Sequence, residues 1–415
     1  MYLKLIYKSN EQYESTISIS GSKSETNRLL IIKKLYNNIK LYNLSNSNDT
    51  KLMIKSLNSN NKVINVKDAG TVMRFLISYF SIKNNNKVIL TGTKRMKERP
   101  IYYLIKSLKE IGCKIKYINK IGYPPIKIIG RTIKKNRINI KSNISSQYIS
   151  SLILIAPKLK NGLVIKLLND SISLSYIYLT INLLKNINFN IIVKKDYIYI
   201  KKYKKNKKKI KYHIESDWSS ASYFYSIVAI LKNKNIKLKR FKKNSYQGDS
   251  IIYKIYKKYF GVNTIFYPNN IILLKKIKNF KLPKYLRIDL KSTPDIAQTI
   301  IVTCSILKIK CLLTGLETLK IKETDRLKAL KNELKKLGTI TKITNNSIKI
   351  IKFKNNNKKI KIIDTYRDHR MAMSFSVFAI KKKILIKNPN TVKKSYPNYW
   401  SDLKKIGFKM KNIKI

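Results

Sequence analysis

The amino-acid sequence predicts an α/β protein with two domains. Short strand-like runs alternate with helical runs along the whole chain, for example residues 87–90 and 163–168 against residues 71–81 and 145–155. A length of 415 residues exceeds what one ordinary core accommodates, and a hydrophobic content of 44% is enough for two sizeable cores. The third observation is a repeat, in which a helix ends at a glycine and two short strands follow.

The repeat occurs in residues 104–118, 256–266 and 328–343, with Gly112, Gly261 and Gly338 at the helix ends. Glycine is favoured there because the residue after a helix often adopts a left-handed conformation. Repetition of one supersecondary unit indicates pseudo-symmetric domains. The remaining helices are expected over residues 28–36, 71–81, 101–111, 145–155, 173–186, 219–231, 250–259, 294–307, 325–337, 370–380 and 396–406, and further strands over 191–193, 197–200, 212–214 and 383–387.

The chain is strongly basic, with 89 Lys and Arg against 21 Asp and Glu and a formal net charge of +68. Such an excess can indicate nucleic-acid binding, because Lys and Arg neutralise phosphates. Here the excess is spread over the whole length and is mostly Lys, and Asn, Ile and Tyr are also abundant. This pattern favours drift in an AT-rich genome. The densest basic run, residues 201–211, is predicted to be a solvated hairpin loop.

Three cysteines, Cys113, Cys304 and Cys311, lie in apolar or mixed runs without metal-ligand spacing and are predicted to be buried thiols of a reducing compartment. No apolar run approaches the ~18 residues of a membrane span, and the first residues alternate like a strand rather than a signal peptide. We therefore expect a cytoplasmic protein. No His, Cys or acidic spacing indicates a metal, and the sequence predicts no cofactor.

Polar and charged residues recur where helices are predicted to begin. Residues 321–327 (IKETDRL) place two cations and two carboxylates within five positions. A salt-bridged, solvated helix end is one interpretation, and a site that binds an anion and moves a proton is the other. Similar clusters occur at residues 21–28 (GSKSETNR), 68–74 (DAGTVMR), 95–100 (RMKERP), 143–147 (NISSQ), 215–222 (ESDWSSAS), 289–298 (DLKSTPDIAQ) and 364–373 (DTYRDHRMAM).

The recurrence of these clusters predicts that helix dipoles and cations converge on one cleft. The candidate cations are Lys23, Arg28, Arg99, Lys322, Arg326, Arg370 and Lys394. Seven cations around one cleft would repel one another unless a polyanion were bound. Two phosphorylated carboxylic acids would carry roughly five to six negative charges, which matches. His369 is either a structural hydrogen-bonding residue or a proton carrier.

In this order, the motifs resemble the 5-enolpyruvylshikimate-3-phosphate synthase family. The resemblance covers the chain from about residue 5 to its end and also includes Gln247-Gly-Asp249. Its most specific parts are Lys322-Glu-Thr-Asp-Arg326 and Asp368-His-Arg-Met-Ala-Met373. It implies a two-domain inside-out α/β barrel, with each domain built from three βαβαββ repeats around inner parallel helices. The expected domains are residues 1–20 with 246–415, and residues 21–245, with the active site in the cleft between them.

The resemblance implies transfer of the enolpyruvyl group of phosphoenolpyruvate to the 5-hydroxyl of shikimate 3-phosphate, with release of phosphate. It also implies inhibition by glyphosate in competition with phosphoenolpyruvate, and a monomer that binds small molecules and no nucleic acid. Asp295 is expected to be the base for the hydroxyl and Glu323 the acid for C3, while the share of Lys23 and His369 in proton transfer stays open. Shikimate 3-phosphate is expected to contact Lys23, Ser24, Arg28, Ser145, Ser146, Gln147, Ser173, Asp295 and Lys322. Phosphoenolpyruvate is expected to contact Lys23, Gly70, Arg99, Gln147, Arg326, Arg370 and Lys394.

Two residues depart from the family pattern, because Asp68 and Thr318 stand where Asn is usual. Asp68 adds a negative charge close to Gly70, where phosphoenolpyruvate is expected. Three alternatives remain at this stage: a related transferase acting on a UDP-sugar, a basic RNA-binding protein similar to RNA 3′-phosphate cyclases, and a scaffold that has lost activity. The UDP-sugar enzyme is expected to carry a reactive Cys between Gly92 and Arg99, and this chain has none there.

Overall fold

The computed structural model describes residues 1–8, 14–141, 145–168, 174–203, 208–231, 233–355 and 360–414. The chain forms two compact units. We call Met1–Ser20 with Glu215–Ile415 the split unit and Gly21–Ile214 the continuous unit. Within the described ranges, none of the helices combines the length and apolar character that a bilayer crossing requires.

The second domain boundary lies between residues 214 and 215, not between 245 and 246 as expected. Residues 235–239 pair in parallel with residues 14–17, near the start of the chain. Ser222 and Ser226 of the preceding helix hydrogen-bond Thr299 and Thr303. These contacts attach the segment after residue 214 to the split unit. The first boundary, between residues 20 and 21, is where the sequence predicts it.

The split unit begins with strands β1 (Tyr2–Tyr7) and β2 (Glu14–Ile17). The continuous unit then contains α1 (Lys23–Leu35), β3 (Ile39–Tyr42), α2 (Asn48–Asn58), β4 (Val63–Asn65), α3 (Gly70–Ser81), β5 (Lys87–Thr91), α4 (Lys94–Lys97), α5 (Tyr102–Glu110), β6 (Lys114–Tyr117), β7 (Ile126–Ile129), β8 (Arg137–Lys141), α6 (Ser146–Ile155), β9 (Leu163–Leu168), α7 (Leu174–Asn186), β10 (Ile191–Val193), β11 (Tyr197–Ile200) and β12 (Ile210–His213).

The chain returns to the split unit with α8 (Trp218–Ile230), β13 (Asn235–Lys239), α9 (Ile252–Phe260), β14 (Val262–Tyr267), β15 (Ile271–Lys276), β16 (Tyr285–Asp289), α10 (Ala297–Ile306), β17 (Lys310–Thr314), α11 (Arg326–Lys336), β18 (Thr339–Ile343), β19 (Ile348–Phe353), β20 (Lys361–Ile363), α12 (His369–Ser376), β21 (Ile384–Lys387), α13 (Tyr399–Lys405) and β22 (Phe408–Ile413). Short 3-10 segments precede four of these helices, at Gly248–Ile251, Pro294–Ile296, Glu317–Ile321 and Pro389–Lys394.

The sheets follow one plan. Each four-stranded sheet has a parallel pair at one edge and two antiparallel strands beside it. The split unit contains the orders β20-β21-β1-β22, β14-β15-β13-β2 and β16-β17-β19-β18, and the continuous unit contains β4-β5-β7-β6, β10-β11-β9-β8 and the two-stranded β12-β3. The three predicted glycine turns are confirmed, since Gly112, Gly261 and Gly338 have φ values of 99°, 64° and 86°.

The central helices are buried almost along their whole length. In α10 and α12 every residue is buried, and in α3, α6 and α8 every residue except the second is buried. Those second residues are Thr71, Gln147 and Ser219. Because these helices are buried on all sides, they form the centre of each unit while the sheets cover the outside. The predicted α/β fold with inner helices and outer sheets is confirmed.

Helices α3 and α6 run parallel in the continuous unit, because Gln147 meets Thr71 in their first turns and Ser151 meets Ser78 further along, and α1 packs against α6. Arg28, in the second turn of α1, donates to Ser150 in the second turn of α6, and Ser78 of α3 donates to Ser151 of α6 at 3.0 Å. In the split unit, Ser222 and Ser226 of α8 meet Thr299 and Thr303 of α10 in the same order. The N-termini within each unit therefore lie at the same end, where their free N–H groups favour negative charge.

Most predicted helices agree with the structure to within a few residues. Helices α2 and α4 were not predicted. Residues 201–211 do not form a hairpin loop, because β11 pairs with β9 and β10 whereas β12 pairs in parallel with β3 of a different sheet. Residues 204–207 lie outside the described part of the chain. The predicted burial of Cys113, Cys304 and Cys311 is confirmed.

Candidate active site

In the split unit, the N-termini of α8, α10, α11 and α12 bring a dense ionic network together. We call it the split-unit cluster. Its members are Asp295, Lys322, Glu323, Arg326, Asp368, Arg370 and Lys394. Asp295 lies in the short 3-10 segment before α10, where Pro294 is favoured because its missing N–H has no helical partner to lose. The residues that sequence analysis predicts for this unit therefore lie together.

Arg326 is the centre of the cluster and is only 2% exposed. Its Nε donates to Asp368 Oδ2 at 2.7 Å, its Nη1 to Asp295 Oδ1 at 3.0 Å and its Nη2 to Glu323 Oε2 at 3.0 Å. Although burial opposes its charge, Asp368, Glu323 and Asp295 raise the pKa of Arg326 above its usual value. One guanidinium thus orients both carboxylates that the sequence predicts to be proton carriers.

Arg370 connects Asp295 to a second acidic side chain. Its Nη1 donates to the Asp295 carbonyl oxygen at 2.9 Å and its Nη2 to Asp295 Oδ2 at 3.1 Å. The same Nη2 donates to Ser219 Oγ at 3.2 Å, and Ser219 Oγ donates to Asp249 Oδ2. Burial and the nearby charge of Asp295 raise the pKa of Asp249 to about 6. Asp249 is therefore a buried carboxyl next to the candidate base.

Two lysines complete the cluster. Lys322 Nζ lies 3.4 Å from Asp295 Oδ1, and Lys394 Nζ lies 3.0 Å from Glu323 Oε1. Both lysines retain some exposure, at 21% and 13% of the side chain. His369 is 3% exposed, with Nδ1 3.8 Å from Asp368 Oδ1. Among the described residues, no group of His, Cys, Asp and Glu could hold a metal ion.

This pairing corrects the charge argument made from the sequence. The four cations of the split unit, Lys322, Arg326, Arg370 and Lys394, each contact a carboxylate. A bound polyanion is therefore not required to explain why these four lie close together. In the continuous unit Lys23 also pairs with a carboxylate, that of Asp49, so the argument from unneutralised charge is kept for Arg28, which donates to neutral oxygens.

In the continuous unit, Arg28 is 2% exposed and has a different environment. It donates to Thr180 Oγ1 at 2.7 Å, Ser24 O at 2.9 Å, Ser150 Oγ at 3.1 Å and Tyr176 O at 3.2 Å. All four acceptors are neutral oxygens. Burial lowers the pKa of Arg28 to about 10, against small opposing effects of Tyr176 and Glu25. A buried cation with neutral acceptors favours an approaching anion.

The N-terminus of α3 lies against Arg99, which is 7% exposed. A methyl group built on Gly70 would lie 2.5 Å from Arg99 Nη1, so any side chain there would displace the guanidinium. Arg74 supports this arrangement, since it donates to Gly70 O at 2.9 Å and Pro100 O at 3.2 Å. Gln147 Nε2 donates to Thr71 Oγ1 at 3.1 Å and joins α6 to α3. Gly70, Arg99 and Gln147 therefore lie together, as predicted.

The other predicted residues of this unit lie at the starts of α1 and α6. Lys23 is the first residue of α1 and pairs with Asp49 of α2 at 3.1 Å. Ser145 caps α6, since its Oγ accepts from Gln147 N at 3.3 Å, and Ser146 is buried. Ser24 is half-buried beside Lys23. Ser173 lies outside the described residues.

Sequence reasoning did not assign several residues that contact the predicted site. Ser219, Asp249 and Asp368 lie inside motifs described under the sequence analysis. Their place in those motifs is the sequence signal that could have identified them as site residues. Asp49, the partner of Lys23, belongs to no noted motif and comes from the helix that was missed. Asp68 and Thr318 are the two residues that depart from the family pattern. Asp68 accepts from Thr93 Oγ1, and Thr318 Oγ1 is buried without a hydrogen-bond partner among the described residues.

The sheet plan and the clusters at the starts of the buried helices define the class of protein, which is that of the two-domain enolpyruvyl transferases. Two solved structures share the fold. An EPSP synthase from Acinetobacter baumannii superimposes with a TM-score of 0.75 at 18% identity, covering 99% of this chain and 100% of that chain. The enolpyruvyl transferase NikO from Streptomyces tendae gives a TM-score of 0.74 at 9% identity, covering 99% and 98%.

Within that class, the chain belongs to the EPSP synthase (3-phosphoshikimate 1-carboxyvinyltransferase) family, whose sequence model matches residues 54–403. It is 42% identical to the 3-phosphoshikimate 1-carboxyvinyltransferase of Bacteroides fragilis strain YCH46, covering 99% of both chains. It is 36% identical to the enzyme of that name from Buchnera aphidicola subsp. Cinara cedri, covering 96% of both. The family resemblance identified from the motifs is confirmed.

Proposed function

We propose that this protein transfers the enolpyruvyl group of phosphoenolpyruvate to the 5-hydroxyl of shikimate 3-phosphate and releases phosphate. Full-length similarity to 3-phosphoshikimate 1-carboxyvinyltransferases supports the reaction. The observation that carries the proposal is the pair Asp295 and Glu323, each 3.0 Å from a different nitrogen of the buried Arg326 guanidinium. The reaction needs one group to accept a proton and another to donate one, and this geometry fixes two carboxyl groups side by side.

In the addition step, the hydroxyl oxygen bonds to C2 of phosphoenolpyruvate and gives its proton to Asp295. Glu323 donates a proton to C3, which becomes a methyl group. In the elimination step, C3 returns a proton to Glu323, the C2–O bond to phosphate breaks and the enol ether forms. The departing phosphate takes the proton held by Asp295. Lys322, Arg370 and Lys394 lie within 3.4 Å of these two carboxylates, where their charges would stabilise the departing phosphate. Lys23 and His369 remain candidates for a share in the proton transfers.

In the continuous unit, we assign Lys23, Ser24, Arg28, Ser145, Ser146, Gln147 and Ser173 to shikimate 3-phosphate, together with Asp295 and Lys322 of the split unit. We assign Gly70 and Arg99 to phosphoenolpyruvate, together with Lys23, Gln147, Arg326, Arg370 and Lys394. The convergent starts of α1, α3 and α6 support anion binding in the continuous unit. The bare backbone at Gly70 beside the Arg99 guanidinium supports close approach of a phosphate or carboxylate.

The proposal describes a monomeric cytoplasmic enzyme that acts on small molecules without nucleic acid or a cofactor. The spread of the basic residues over the whole sequence, rather than over one face, supports the absence of a nucleic-acid partner. Glyphosate is expected to inhibit in competition with phosphoenolpyruvate.

A phosphate-release assay tests the function directly. Phosphate should appear from phosphoenolpyruvate only when shikimate 3-phosphate is present, and a UDP-sugar should not replace it. Asp295→Asn and Glu323→Gln should each lower kcat by about 100- to 10,000-fold, since that is the usual contribution of a general acid or base. Glu317→Gln is the matched control, because Glu317 is an exposed residue of the same unit. Release of phosphate without shikimate 3-phosphate, or normal rates in both amide variants, would refute the proposal.

A further inference from the structure

The loop that leads into α12 has an unusual backbone. We call residues 364–368 the α12 entry loop. Tyr366 and Arg367 are consecutive and have φ values of 49° and 57°, in the left-handed region that side chains other than Gly and Asn rarely adopt. Such residues persist only where surrounding contacts determine the backbone. The loop must therefore be fixed by its neighbours.

The main neighbour is Glu333, a fully buried carboxylate in α11. Its Oε1 accepts from Tyr366 Oη at 2.7 Å, and its Oε2 accepts from Asp364 N at 3.1 Å. Lys336 Nζ donates to the two oxygens at 2.8 and 2.7 Å. Burial and the hydrogen bond to Glu333 raise the pKa of Tyr366 to about 12, so its hydroxyl stays protonated as a donor at neutral pH. A buried carboxylate requires such pairing, and here two partners belong to the entry loop.

Helix α11 also fixes the other end of the loop. Arg326, at the start of α11, donates to Asp368 Oδ2 at 2.7 Å. Asp368 caps α12, because its Oδ1 accepts from Arg370 N at 2.8 Å. Arg370 in turn donates to both the carbonyl and the carboxylate of Asp295. A displacement of the entry loop would therefore shift the start of α12, and with it Arg370 and its contacts with Asp295.

We propose that Glu333 is a positioning residue. It touches no reacting group, and its contacts with Asp364 and Tyr366 keep the entry loop in the conformation that places Arg370 on Asp295. The proposal rests on the proposed function, in which Arg370 binds phosphoenolpyruvate. It goes beyond that function, because it assigns a role to a side chain at the far end of α11 from the split-unit cluster.

Two variants test the proposal in the full-length protein. Tyr366→Phe removes one hydroxyl that donates to Glu333, and Glu333→Gln removes the charge at constant shape. Tyr253→Phe is the matched control, because Tyr253 is a partly buried tyrosine of the same unit whose hydroxyl has no hydrogen-bond partner among the described residues. Amide hydrogen exchange of residues 364–372, measured without substrates, reports how firmly the entry loop is held. KM and kcat for each substrate report whether substrate binding and turnover change.

Both test variants should speed hydrogen exchange in residues 364–372. They should raise KM for phosphoenolpyruvate about tenfold, as expected for one lost hydrogen bond to a charged group. KM for shikimate 3-phosphate should rise less, because among its assigned contacts only Asp295 meets Arg370. The double variant should be no worse than Glu333→Gln alone, because both changes act through one contact. Tyr253→Phe should change none of these quantities.

Faster exchange with unchanged KM for phosphoenolpyruvate would overturn the proposal, since the loop would then not control the site. Unchanged exchange in both variants would overturn it too, because Glu333 would not fix the loop. If the wild-type protein releases no phosphate with any substrate, the proposed function fails while the exchange experiment still tests the Glu333 contacts. If Glu333→Gln does not fold, Tyr366→Phe alone decides.

Discussion

The two units bury their central arginines in opposite ways. In the split unit, Arg326 donates to three carboxylates, Asp295, Glu323 and Asp368. In the continuous unit, Arg28 is equally buried, yet its hydrogen bonds within the described chain all go to hydroxyl or carbonyl oxygens. Arg74 likewise donates to two backbone carbonyls, those of Gly70 and Pro100. The units share a fold plan and differ in how charge is compensated.

The difference teaches which chemistry each unit can supply. A guanidinium surrounded by carboxylates contributes little net charge, but it fixes the carboxylates that can move protons. A guanidinium surrounded by neutral oxygens keeps its positive charge and suits an anionic ligand. We therefore infer that the continuous unit contributes mainly anion binding, and that the split unit contributes mainly acid–base chemistry.

The largest expected effect comes from replacing each arginine with methionine, which has a similar length and no charge. Arg326→Met should lower the free energy of unfolding by about 3–5 kcal/mol, because it removes the arginine that pairs with the fully buried Asp368 carboxylate. Arg28→Met should cost about 1 kcal/mol or less. The hydroxyls it leaves behind remain paired, since Thr180 Oγ1 donates to Tyr176 O at 2.9 Å and Ser150 Oγ donates to it at 3.3 Å.

Urea denaturation at neutral pH measures both changes, with unaltered m-values as the check that unfolding remains two-state. Costs that agree within about 1 kcal/mol would contradict the contrast between the units, given the usual uncertainty of such extrapolations.

A second prediction concerns Asp249, a buried carboxyl of the split unit whose Oδ2 accepts from Ser219 Oγ. Its pKa is raised to about 6, chiefly by burial and then by Asp295. A carboxyl whose pKa is higher in the folded state stabilises the fold below its unfolded pKa, and this contribution is lost as pH rises through about 6. Asp249→Asn should therefore gain stability relative to wild type between pH 4 and pH 8, by up to about 3 kcal/mol.

Thermal or urea unfolding of both proteins at several pH values provides the measurement. A stability difference that stays constant from pH 4 to pH 8 would mean that Asp249 is not titrating in this range, and that burial and Asp295 do not raise the pKa of its carboxyl.

Much of the fold could be predicted from the sequence, because local signals mark its repeating parts. Asp325, Asp368 and Ser145 cap helices close to where the motifs predict them. The glycine turns are also local, since the left-handed conformation favours glycine. Helix α2 was missed because its sequence is largely polar, and its partial burial depends on contacts with other helices rather than on an apolar stripe.

The sequence identified charged residues of the split unit that the structure brings together, but it did not show how they pair. Motifs identify Lys322, Arg326 and Arg370 as cations at helix starts, but only three-dimensional structure shows that each meets a carboxylate. Asp49 could not be found, because it comes from the missed helix α2. The boundary at residue 214 has no linker composition, since parallel pairing of β13 with the distant β2 determines it.

The smallest expected effect concerns Asp68, the one acidic departure beside the anion-binding end of the continuous unit. Its carboxylate accepts from Thr93 Oγ1 and is exposed to solvent, so water and salt weaken its repulsion of an anion near Gly70. Asp68→Asn should therefore lower KM for phosphoenolpyruvate by only about two- to threefold, which corresponds to less than about 1 kcal/mol.

The matched control is Asp196→Asn, which removes the same charge from another exposed residue of the continuous unit. The improvement should shrink as salt is raised from 20 to 500 mM, because the Debye length falls from about 20 Å to roughly 4 Å over that range. An equal improvement in the control would indicate an effect of overall charge. An unchanged KM for Asp68→Asn at low salt would mean that the end of α3 near Gly70 does not bind the anion, and the assignment of anion binding to this unit would then rest on Arg28 and Lys23 alone.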